Sequence, residues 1–84
     1  MTNEQINVIA ELTQLTQWFN SYYIVHEQKY NRLIALNKLD DDGENPQTLL
    51  TTLYEEAEVK RKRIQELEKT LSQIVDNETS NIVQ

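Results

Sequence analysis

The chain has 84 residues, with eight Lys and Arg against fourteen Asp and Glu, a formal net charge of −6 and a pI near 4.6. Only 38% of the residues are hydrophobic, and there is one Gly, one Pro and no Cys. This length holds one small domain, the scarcity of turn residues argues against a β-sandwich or barrel, and the lack of Cys rules out disulfides, thiolate zinc sites and thiol nucleophiles.

The first twenty residues carry Glu4 and Glu11 and lack the basic start and apolar segment of a secretory signal. Apolar runs fall far short of the roughly 20 residues that span a bilayer. The expected compartment is the cytoplasm, with no role at a membrane. The negative balance also disfavours general binding to polyanions.

Thr2 followed by Gln5 fits a capping box, so a first helix is expected over 3–38. Val8, Leu12, Leu15, Phe19, Tyr22, Tyr30 and Leu33 recur at helical spacing, with Ile9 and Tyr23 alongside. Residues 39–45 hold the acids Asp40, Asp41, Asp42 and Glu44 together with the single Gly. They read as an acidic turn beside the positive end of the next helix. The spacing does not match a calcium loop, because Asn45 and Thr51 stand where Gly and Glu are needed. Asn45 before Pro46 is an N-cap followed by a first-turn proline. A second helix is therefore expected over 46–76, with 77–84 as a flexible polar tail. Leu50, Leu53, Ala57, Lys60, Ile64, Leu67, Leu71 and Ile74 step alternately by three and four, a heptad seam interrupted by Lys60.

Long helices joined by a short connection lie antiparallel. The expected fold is all-α: an antiparallel two-helix hairpin, coiled-coil-like, dimerising into a four-helix bundle. Setting Leu36 opposite Leu50 pairs Leu33 with Leu53, Tyr30 with Ala57, Tyr22 with Ile64 and Phe19 with Leu67, and places His26 opposite Lys60. His26 then reads either as a spacer in an aromatic layer or as part of a polar, pH-sensitive layer that sets register.

A hairpin covers one stripe on each helix, and the first helix carries a second. Trp18, Tyr22, Val25 and Leu36 are the expected interface of a homodimer, with surface left for a second protein. Lys60, Arg61, Lys62 and Arg63 form the most conspicuous charge run. Glu56 and Glu58 stand four residues before Lys60 and Lys62, the spacing of a salt-bridged, solvated face. The alternative reading is a small nucleic-acid-associated regulator using Lys29, Arg32 and residues 60–63. No Ser/His/Asp set, carboxylate pair, phosphate loop or metal cluster can be assembled, so no enzyme, cofactor, metal or small-molecule substrate is expected.

Trp18-Phe19-Asn20-Ser21-Tyr22-Tyr23, followed by Gln28-Lys29-Tyr30-Asn31-Arg32, resembles a segment of uncharacterised small helical-hairpin proteins of Gram-positive bacteria and their prophages. The resemblance covers about a quarter of the chain. It implies a bacterial accessory or assembly protein and carries over no functional residues. The leading expectation is a non-enzymatic protein–protein interaction or assembly module that self-associates.

Overall fold

The computed structural model describes the backbone of residues 2–83 and the side chains of residues 2–74. The fold is all-α. The elements are α1 (Asn3–Trp18), a π-helical turn (Phe19–Tyr23), α2 (Ile24–Ala35) and α3 (Pro46–Val83). The first three form one continuous helical arm, and α3 forms the other.

Each start is set by its capping residue. Gln5 N–H donates to Thr2 Oγ1 at 3.2 Å, and Thr2 N–H donates to Gln5 Oε1 at 2.9 Å, which completes the capping box. Gln47 N–H donates to Asn45 Oδ1 at 2.9 Å, and Pro46 fills the first helical position, where no N–H is needed.

The first arm ends at Ala35, before the expected Lys38. Asn37 takes φ 53°, in the left-handed region. Lys38 N–H then reaches Leu33 O at 2.9 Å, and Asn37 N–H reaches Ile34 O at 3.1 Å. This pair of bonds is a Schellman closure, with Asn tolerating the left-handed position. Beyond it, Gly43 N–H donates to Asp40 O, and Asp40 N–H donates to Glu44 O. Gly43 sits at φ 78°, which its missing Cβ permits. Lys29 Nζ lies 3.1 Å from Asp40 Oδ1 and ties this turn back onto α2.

The segment expected as a tail continues α3 to Val83. No Gly or Pro follows Pro46, so nothing in the sequence stops the helix. No helix among the described residues is long and apolar enough to cross a membrane.

The arms run antiparallel, in a register that differs from the expected one. Glu11 meets Arg63, Trp18 meets Lys60, and Tyr23 meets Tyr54. Tyr30 shares a groove with Leu49, and Tyr22 shares it with Glu56. The pairings of Leu36 with Leu50, Tyr22 with Ile64 and His26 with Lys60 are displaced by roughly one heptad. The cause is the connection: residues 36–45 fold back along α2, so Pro46 starts level with Leu33 and Ile34. A seven-residue slide keeps the same faces together, so the seam pattern alone does not distinguish the two registers.

The seam of α3 follows the heptad reading: every residue from Leu50 to Ile74 in that series is buried or half-buried. The apolar core among the described residues is Val8, Leu53, Ala57 and Leu67, with Ala57 fully enclosed.

Candidate functional site: an aromatic edge of the hairpin

The π-turn at Phe19–Tyr23 is absent from the sequence reading, and it decides where the aromatic side chains go. It takes up one residue more than an α-turn and rotates everything after it. Leu15, Phe19 and Tyr23 are spaced by four and four, which a regular helix would carry off its seam. With the wider turn, Tyr23 is half-buried against α3, and Tyr22 is left 45% exposed. Ser21 Oγ donates to Gln17 O within the same stretch. Such back-bonding loosens the helical ladder locally.

The result is an aromatic ladder on one edge of the hairpin. Trp18 stacks on Tyr22 with centroids 5.6 Å apart, Tyr22 stacks on His26 at 3.8 Å, and His26 meets Tyr30 edge-on at 5.9 Å. His26 Nδ1 lies 2.8 Å from Tyr22 O. A carbonyl only accepts, so Nδ1 carries the hydrogen and the ring is fixed by a backbone bond as well as by stacking. This is the arrangement of an aromatic spacer. Lys60 does not face His26: its Nζ lies 4.9 Å over the Trp18 ring and 3.5 Å from Glu56.

The opposite edge is also aromatic but more polar. Tyr23 Oη donates to Glu27 Oε2 at 2.8 Å, Tyr54 lies 6.4 Å from Tyr23, and Arg61 lies over both Phe19 and Tyr23. Burial raises the Tyr23 hydroxyl above its ordinary pKa, and the Glu27 carboxylate adds to the shift.

Of the expected interface residues, Trp18 and Tyr22 belong to the ladder, whereas Val25 lies on a separate groove with Lys29 and Arg32. Tyr22, Val25 and Leu36 are exposed, whereas Trp18 is half-buried under Lys60. Lys29 and Arg32 lie between Val25 and Leu36, and Val25, Lys29 and Arg32 line one shallow groove. The basic run is largely engaged within the chain. Lys60 pairs with Glu56, Arg61 with Glu58, and Arg63 with both Glu11 and Glu66. Arg63 Nε and Nη2 grip the Glu11 carboxylate at 2.6 and 2.9 Å. These hydrogen bonds hold Glu11 below the usual carboxylate range. The Lys29 ammonium does the same for Asp40 and is itself raised by the pairing.

The spacer reading of His26 and the pairing of Glu56 with Lys60 match the structure; sequence reasoning missed the continuous stack from Trp18 to Tyr30 and the seat of Lys60 over Trp18. The i, i+4 spacing of Trp18, Tyr22, His26 and Tyr30 was the available signal. Among the described residues, no group of His, Asp and Glu is placed to hold a metal ion. No protein-family model, curated protein or solved structure matches this chain.

Proposed function

We propose that the chain is a non-enzymatic interaction module that self-associates through its helical hairpin, two copies forming a four-helix bundle. The observation that carries this reading is the mismatch between surface and core. The accessible surface is 6358 Å², against about 5,200 Å² for a compact monomer of this mass. The excess, about 1,150 Å², is somewhat more than the ~800 Å² that each partner contributes to a standard interface. The radius of gyration is 18.6 Å, and the molecule measures 64 × 16 × 15 Å. A compact chain of this length would have a radius near 12 Å. A rod with one thin seam gains a core by lying against another rod.

The nucleic-acid reading draws less support. Lys60, Arg61 and Arg63 would have to leave Glu56, Glu58 and Glu11 before gripping phosphates. Sedimentation equilibrium over micromolar to millimolar concentration tests the proposal. A dimer is expected; a well-folded monomer throughout that range would overturn it.

A further inference from the structure

The ladder side of the hairpin is a face to which both arms contribute. Glu11, Gln14, Trp18 and Lys60 line one hollow between the arms, and Tyr22, Tyr30, Leu49 and Glu56 line the next. The Trp18–Tyr22 stack joins the two hollows. Val59 stands three residues after Glu56 and four before Arg63, which grips Glu11 beside the first hollow. That spacing sets Val59 on the same side of α3. At 69% it is the most exposed large apolar side chain among the described residues, and Tyr22 is 45% exposed.

The other sides of the molecule suit a second copy less well. Arg61 covers Phe19 and Tyr23 on the opposite edge, and the Tyr23 hydroxyl is held by Glu27. Val25 shares its groove with Lys29 and Arg32, so a copy laid there would bring like charges together.

Two hairpins can meet through the ladder face about a two-fold axis in two ways. In parallel copies, the first arm of each lies on α3 of the other at the same level. Glu56 then meets the ring of the partner's Tyr22, and Glu11 meets the partner's Glu66. A carboxylate is set against the negative face of a ring in the first case and against another carboxylate in the second. In antiparallel copies each arm lies on its own counterpart. With the axis level with Asn20, Trp18 stacks on the partner's Tyr22, and Gln14 comes level with the partner's His26. Trp18 meets Lys60 and Tyr22 shares its hollow with Glu56, so the same axis crosses α3 between Glu56 and Lys60. Each Lys60 then lies beside the partner's Glu56. The two Glu56–Lys60 pairs close into one ring of alternating charge. Val59 stands next to the axis and is covered by its own counterpart. We infer that two copies join antiparallel through the ladder face, each Trp18 stacking on the partner's Tyr22. This arrangement rests on the self-association proposed above.

The chain has no native cysteine, so a nitroxide at Glu4→Cys, in the exposed first turn of α1, reports one distance per dimer. Antiparallel packing sets the two labels about 50 Å apart; parallel packing sets them within about 25 Å. Pulsed electron–electron resonance and sedimentation are run on the same sample. The expected result is a dimer with the long distance, whose dissociation constant rises with salt. A dimer with the short distance overturns the arrangement and leaves self-association standing. A monomer overturns both. Val59→Asp puts a carboxylate beside the partner's Glu56 and is expected to raise the dissociation constant roughly tenfold or more, with helical content unchanged. Val25→Asp, equally exposed but on another side, is expected to leave it unchanged. The reverse pattern, with Val25→Asp weakening the dimer and Val59→Asp not, would overturn the ladder face as the interface.

Discussion

Lys60 Nζ lies 4.9 Å above the ring of Trp18 while its charge is shared with Glu56 at 3.5 Å. The single polar residue in the α3 seam is therefore placed where the first arm offers an aromatic face and its own helix offers a carboxylate. Its aliphatic stem covers apolar surface and its head stays at the rim. Trp18 is the only tryptophan, so the emission of the chain reports the surroundings of this one ring. Lys60→Ala is expected to shift that emission to longer wavelength as water reaches the indole, which steady-state fluorescence reads directly.

Ala57 is fully enclosed, flanked one turn away on either side by Tyr54 and Arg61, which both reach Tyr23. A larger side chain has no space there. Ala57→Leu is expected to destabilise the hairpin by about 1–3 kcal/mol through overpacking. A thermal melt followed by circular dichroism should show a lower midpoint with the same initial helicity.

Asn45 is the N-cap of α3. Asn45→Ala leaves the Gln47 N–H without its side-chain acceptor and is expected to cost about 1 kcal/mol. Asn45→Asp keeps the acceptor and should match the parent in urea denaturation.

The Glu11 and Asp40 carboxyls are lowered in the folded chain by Arg63 and Lys29. Groups of this kind add stability above the ordinary carboxylate titration range, and that stability is lost as pH falls through the lowered folded values. The denaturation midpoint should therefore decline as pH drops below about 4. In Glu11→Gln the decline should be shallower, because one of the two contributions is gone at every pH.

Deleting Asn20 removes the extra residue of the π-turn. A regular α-turn then spans the junction, and the residues after it keep their faces relative to α1. Helical content and the fit of Tyr23 against α3 should persist, whereas an Ala inserted beside Asn20 turns everything after it by about 100°, costs Trp18 its stack on Tyr22 and makes unfolding less cooperative. Near-ultraviolet circular dichroism, dominated by this aromatic group, checks the outcome.

Both helix starts were legible because each depends on local chemistry: Thr2 with Gln5, and Asn45 with Pro46. The α3 seam was legible because its spacing follows one unbroken helix. The register was not. A heptad pattern matches itself after a slide of seven, and the choice is made by the Lys29–Asp40 clamp, which brings together residues from different elements. The π-turn escaped because Tyr22 and Tyr23 are adjacent and chemically alike, so either could fill the seam. Val25 and Leu36, expected off the seam, are exposed, but Tyr22, expected opposite Ile64, is exposed as well; the cover that Lys60 lays over Trp18 depends on the register and could not be anticipated.

The widened turn makes the first arm a helix with two phases. A single helical wheel drawn through residues 3–35 assigns wrong faces to everything beyond Tyr23. Anyone redesigning the ladder edge must count from two origins, one ending at Trp18 and one beginning at Ile24. The turn has already absorbed one residue, so a further residue inserted at the junction would bring a different set of side chains to the edge without altering any of them.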